Sequence, residues 1–123
     1  MSNNTDINTP AFQSWLVSCQ SMIDADMKAN FPSLPRNILV YEQGSKFIRV
    51  WSVGADNQGG NRSCYAFIAR SYNKTKALGT VLAGDVLKPA TWKQPAKHAR
   101  GNIYDASNGT AKMGVYGPAY LNQ

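Results

Sequence analysis

Apolar residues recur at three- and four-residue intervals through Phe12, Trp15, Leu16, Cys19, Met22, Ile23 and Met27, while Gln13, Ser14, Gln20, Ser21, Asp24 and Lys28 fall largely off that line. The spacing predicts an amphipathic helix with one buried face. Thr9-Pro10 marks its start, a capping residue followed by proline at the first helical position, where a missing N–H costs nothing. The helix is expected to end before Pro32, whose ring pushes Phe31 out of the helical region. The period then changes. Asn37-Ile38-Leu39-Val40-Tyr41 and Lys46 to Val53 are rich in β-branched and aromatic residues, and Glu42-Gln43-Gly44-Ser45 between them has hairpin-turn chemistry. A third strand is predicted over Ser63 to Arg70, after a glycine- and asparagine-rich loop from Gly54 to Arg62. A polar loop from Ser71 to Lys76 leads into Leu78 to Leu87, with a turn at Ala83-Gly84-Asp85 and a short final strand at Val86-Leu87.

Lys88 to Asn102 reads as an extended segment with one helical turn after Pro95, stopped by Gly101. Residues 103–123 read as ordered but irregular, and residues 1–8 as a disordered polar N-terminus. Residues 9–123 then form one α+β domain: an N-terminal helix packed on a three- to four-stranded antiparallel sheet, with an irregular C-terminal segment. The helix stripe covers one sheet face. The other is expected to be open, with Arg49 reaching solvent there.

The chain has 123 residues, enough for a core without disulfides or metals. Its net charge is +6, and the excess is uneven: residues 1–27 hold three acids and no base, whereas thirteen bases face four acids from Lys28 onward. The basic character belongs to the body of the domain, which favours acidic partners, nucleic acid first. No signal peptide or membrane-length apolar run is present, so a cytoplasmic location is expected, without membrane contact. Cys19 and Cys64 have no metal-ligand spacing and are expected as reduced thiols, with one disulfide as the alternative. No cofactor and no metal are expected.

The densest chemistry lies in Gly84 to Asn102. Lys88, Lys93, Lys97 and Arg100 occur there with no acid between Asp85 and Asp105, around Trp92 and two stiffening prolines. Cations for phosphates beside an aromatic ring for stacking suit a flexible polyanion with flat bases. The nucleic-acid contact set read from the sequence is therefore Lys88, Trp92, Lys93, Lys97 and Arg100, with Arg49 as an extension and single strands favoured. The bland alternative is that Trp92 packs back onto the domain, leaving the lysines simply solvated.

A second candidate is an aromatic sheet face of Tyr41, Phe47, Trp51, Tyr65 and Phe67, although strand aromatics are usually core. Strand alternation separates Phe47, Arg49 and Trp51 from Ile48 and Val50. If the latter face the helix, Arg49 and Trp51 share the outer face. A third candidate is His98 with Asp105, the single acid–base pair suggested by proximity. No nucleophile motif accompanies it, and the loop Gly54 to Arg62 lacks the phosphate-cradle pattern, so a non-enzymatic role is expected.

The stretch from Gly84 to Ile103, with Gly84-Asp85-Val86-Leu87-Lys88-Pro89-Ala90-Thr91-Trp92-Lys93 followed by Pro95-Ala96-Lys97 and Ala99-Arg100-Gly101-Asn102, resembles a segment of small uncharacterised proteins of tailed bacteriophages, as does the preceding Tyr65-Ala66-Phe67-Ile68. The resemblance implies a viral source, hence a host-cell cytoplasm, and carries no catalytic assignment. Two roles stand. The first is non-catalytic nucleic-acid binding through residues 88–102. The second is a protein-interaction or virion-associated module, binding a host or viral protein or forming a homo-oligomer through exposed sheet aromatics and the Tyr-rich C-terminus.

Overall fold

The structure, a computed structural model, describes residues 5–30, 32–33, 37–54, 62–76, 78–91, 93–114 and 117–118. In chain order the elements are α1 (Pro10–Asn30), β1 (Asn37–Gln43), β2 (Phe47–Gly54), β3 (Arg62–Ala69), β4 (Asn73–Thr75), β5 (Gly79–Val81), β6 (Val86–Leu87), β7 (Met113–Gly114) and β8 (Gly117–Pro118). Four of these strands form an antiparallel sheet in the order β1-β2-β3-β6, and α1 packs on one of its faces. This is the α+β architecture expected from the helical and alternating patterns.

The helix buries Phe12, Trp15, Cys19 and Ile23, the centre of the predicted stripe. Its first hydrogen bond runs from the Gln13 N–H to the Thr9 carbonyl at 3.1 Å. The Thr9 hydroxyl turns back to accept the Asp6 N–H at 2.9 Å. Gln20, a polar residue off the stripe, fixes where β1 begins: its amide donates to the Asn37 carbonyl at 2.9 Å and accepts the Leu39 N–H at 2.8 Å. Residues 5–8, expected to be disordered, are docked instead. Thr5 is fully buried, its N–H bonds the Arg70 carbonyl, and its hydroxyl meets the Tyr104 hydroxyl at 2.6 Å.

The sheet has two apolar sides. Leu39, Ile48, Val50, Tyr65, Ala66, Ile68 and Val86 pack with the helix stripe and Ile103. Phe67, Ala69, Val81 and Leu87 form a second cluster, completed by Phe47, Cys64 and Leu78. The open outer face expected from the sequence is therefore covered. The β4–β5 hairpin brings Leu78 and Val81 onto it, and β3 is buried on both sides from Tyr65 to Ala69. A bulge makes this possible. The register passes from Val50↔Ala66 to Trp51↔Cys64, leaving Tyr65 as the extra residue. Tyr65 and Ala66 can then both face the helix while Cys64 and Phe67 face away.

This division also separates the cysteines. Cys19 belongs to the helix-side core, Cys64 to the opposite side, and both are free. Burial pushes the Cys19 thiol up to about 12 and the Cys64 thiol up to about 11, so neither is a ready nucleophile near neutral pH.

The basic segment is a folded-down loop. Pro89 and Pro95 bridge each other, the Ala96 N–H bonds the Lys88 carbonyl, and the Ala90 N–H bonds the Gln94 carbonyl. The helical turn expected after Pro95 does not form, because Pro95 is held in this pairing. The chain then returns beside β6, with Arg100 N–H to Val86 O and Val86 N–H to Gly101 O, and Asp85 bridging Asn102. No described helix is long and apolar enough to cross a membrane.

Candidate functional site

Alternation along β2 turns Phe47, Arg49 and Trp51 away from the helix, and their neighbours determine what they do. Arg49 lies opposite Glu42 of β1 and Phe67 of β3. Its guanidinium reaches Glu42 at 2.7 Å and sits over the rings of Trp51 and Phe67, 5.6 and 5.5 Å from their centroids. The same Glu42 oxygen accepts the Trp51 indole N–H at 3.1 Å. The Arg49 hydrogen bond, then that of Trp51, holds the Glu42 carboxyl below the usual carboxylate range.

Above these residues is a cleft of about 400 Å³ between the β1–β2 turn and the loop after β6, lined among others by Glu42, Lys46, Phe47, Arg49, Phe67 and Lys93. A second hollow of about 440 Å³ shares Lys46, Phe47 and Lys93 and extends to Leu78, Pro95 and Lys97. Together they make one groove. Lys46, Lys93 and Lys97 are exposed along it, while Phe47, Phe67 and Leu78 give it an apolar floor. Among the described residues Glu42 is the one carboxylate in the lining of either hollow, and Arg49 and Trp51 already engage it.

Local structure sets the positions of these lysines. Lys46 leaves a turn that Arg70 staples, its guanidinium donating to the Gly44 and Ser45 carbonyls at 3.0 and 3.2 Å. Lys93 follows Thr91, whose hydroxyl accepts the Lys93 and Gln94 N–H groups at 3.1 and 3.2 Å and tightens the turn. Lys97 follows directly on the Pro89–Pro95 bridge and Ala96.

The predicted contact set divides. Lys93, Lys97 and Arg49 meet at the groove. Lys88 is half-buried, with its ammonium donating to the Pro118 carbonyl at 3.0 Å. Arg100 is buried and donates to the Lys97 and His98 carbonyls, both at 2.6 Å, and burial lowers its pKa from the ordinary arginine value. Both of these cations brace the loop from within. Trp92 lies outside the described residues.

The proposed aromatic face splits as well. Tyr41 and Tyr65 stand on the helix side, edge-on to Phe12 and Trp15 respectively, while Trp51 and Phe67 are 5% and 1% exposed on the other side. An open platform of sheet aromatics is thus absent among the described residues.

His98 and Asp105 do not act as a pair. Asp105 accepts the N–H groups of Asn102, Ser107 and Gly109 and the Ser107 hydroxyl, and these bonds, that of Gly109 foremost, keep its carboxyl below its ordinary range. His98 is exposed, at a left-handed φ of 71°. Among the described residues no group of three His, Cys, Asp or Glu side chains could hold a metal ion. Sequence reasoning missed Lys46 as a site residue, although its place beside Phe47 at the end of a Gly-Ser turn was the available signal.

Residues 20–117 match a family model described as a Family of unknown function (DUF7717). The chain belongs to this family. The span shared with DUF7717 runs from within α1 to β8 and includes every groove residue named above. No curated protein and no solved structure matches the chain.

Proposed function

We propose that this DUF7717 member is a non-catalytic nucleic-acid-binding protein of phage source, acting in the host cytoplasm, and that it takes a single strand along the groove of Lys46, Lys93 and Lys97. The observation that carries the reading is the convergence of three exposed lysines from two separate loops on an apolar floor. Three ammonium groups on one groove suit a backbone of phosphates, and bases turned inward meet Phe47 and Leu78. Lysine is a point charge without planar geometry, so contacts of this type carry affinity with little sequence preference.

Fluorescence anisotropy with labelled single- and double-stranded oligonucleotides across a range of salt tests it. Single strands are expected to bind more tightly, with log K falling against log salt at a slope of about −2, the value for three neutralised phosphates. Absence of binding at low salt would overturn the proposal and turn attention to a protein partner or a homo-oligomer.

Glu42 supplies an internal check. Its carboxylate occupies Arg49 where a phosphate would otherwise compete. Replacing it with Gln keeps an oxygen acceptor for Trp51 but removes the negative charge. Glu42→Gln is expected to tighten oligonucleotide binding by roughly three- to tenfold at low salt, with the gain shrinking at high salt. Weaker binding by a folded variant would count against Arg49 as part of the interface.

A further inference from the structure

On the far side of the same loop, the structure holds a feature of different character. Arg62 stacks on Trp51, its guanidinium carbon 4.2 Å from the ring centroid. Trp51 is buried and its indole N–H is held by Glu42, so the ring is a fixed base for that cation. Arg62 itself is exposed. Beside the pair is a cavity of about 550 Å³, lined by Trp51, Arg62, Ser63, Cys64, Pro89 and Thr91. Volumes of this order accommodate a small planar ligand.

We infer that the Trp51–Arg62 stack is a docking platform for one nucleobase, which lies against the guanidinium plane in the cavity beside Pro89 and Thr91. The inference rests on the single-strand reading and assigns it a second subsite. Three observations favour a base over a phosphate here. The cation is planar and already paired face-on with an aromatic ring, and a guanidinium plane supported in this way stacks on bases. Among the described residues the remaining walls are neutral: two hydroxyl side chains, a proline and a protonated thiol. The cavity is also adjacent to the phosphate groove by construction. Thr91 lines the one and Lys93 the other, two residues apart on a single tight turn. A strand crossing that turn would place its backbone on the lysines and present a base to Arg62.

The test compares a short homopolymeric single strand with an abasic strand of equal length, using the intact chain and its Arg62→Lys and Arg62→Ala variants. The wild type is expected to favour the base-bearing strand by about tenfold or more. Arg62→Lys, which keeps the charge and loses the plane, is expected to cut that preference by about fivefold or more, leaving what the groove floor supplies, while binding the abasic strand as the wild type does. Arg62→Ala is expected to lose the same part of the preference and some affinity for both strands. Thermal melts of each variant separate these effects from unfolding. A base preference undiminished in folded Arg62→Lys overturns the platform, as does equal wild-type binding of the two strands. Failure of the wild type to bind either strand overturns the single-strand reading itself.

Discussion

Replacing Lys46, Lys93 and Lys97 together with Glu is expected to reduce single-strand affinity at low salt by a hundredfold or more and to flatten its salt dependence. Each lysine that neutralises a phosphate releases condensed counterion, contributing roughly 0.7 to the slope for a single strand. Reversing all three removes that release and places like charge against the backbone. The three side chains are exposed, and Lys46 and Lys97 serve the fold through their backbone carbonyls, which accept from Arg70 N–H and from Arg100 respectively. For Lys46 and Lys97 the melting temperature should therefore stay close to that of the wild type, since exposed substitutions away from such contacts usually change stability by no more than about 0.5 kcal/mol.

Arg100→Met should do the reverse. It deprives two carbonyls of a charged donor and is expected to cost about 1.5–3 kcal/mol of stability, while the folded fraction still binds. Anisotropy titrations paired with thermal melts read both effects. Unchanged affinity and slope in the folded triple variant would remove the groove as the site.

Gly117→Ala is expected to lower the melting temperature by roughly 10–20 °C, a loss of about 2–5 kcal/mol from one added methyl group. Gly117 has φ +118°, and a Cβ there would fall 2.5 Å from the Tyr65 carbonyl oxygen, which is backbone and cannot swing aside. Strain and collision act together. The region is also a junction, because the Tyr65 hydroxyl donates to the Gly114 carbonyl at 2.8 Å and Lys88 reaches Pro118. Gly79→Ala provides the comparison. That glycine is also left-handed, at φ +72°, but beyond its chain neighbours no atom of the described residues lies within 4 Å of an added Cβ. Its loss should be confined to the conformational cost, about 1 kcal/mol. Equal melting points for the two variants would show that the close approach to Tyr65 contributes nothing.

The helix and the three long strands were legible because each repeats its pattern over several turns or pairs. The predicted Lys46–Val53 and Ser63–Arg70 lie within a residue of β2 and β3. What escaped was contact between distant parts of the chain. The β4 strand, Asn-Lys-Thr, has no apolar member and is ordered by pairing with β5, so its sequence reads as loop. The covering of the outer face followed from that omission. The bulge at Tyr65 breaks strict alternation, so no period-two reading places both Tyr65 and Ala66 on the helix side. Among the site residues, Lys93, Lys97 and Arg49 were recognised by charge, but charge alone could not separate them from Lys88 and Arg100. That separation depends on the Pro118, Lys97 and His98 carbonyls, which come close only in the folded chain.

The division of labour between arginine and lysine has a consequence for covalent labelling. Arg70 donates to the carbonyls of Thr5, Gly44 and Ser45, and Arg100 to two more, whereas the groove presents three exposed primary amines. A reagent that acylates amines ignores guanidinium groups. It would erase the positive face of Lys46, Lys93 and Lys97 while leaving the arginine struts beneath them intact, so a ligand bound in the groove would leave its footprint as lysines shielded from acylation.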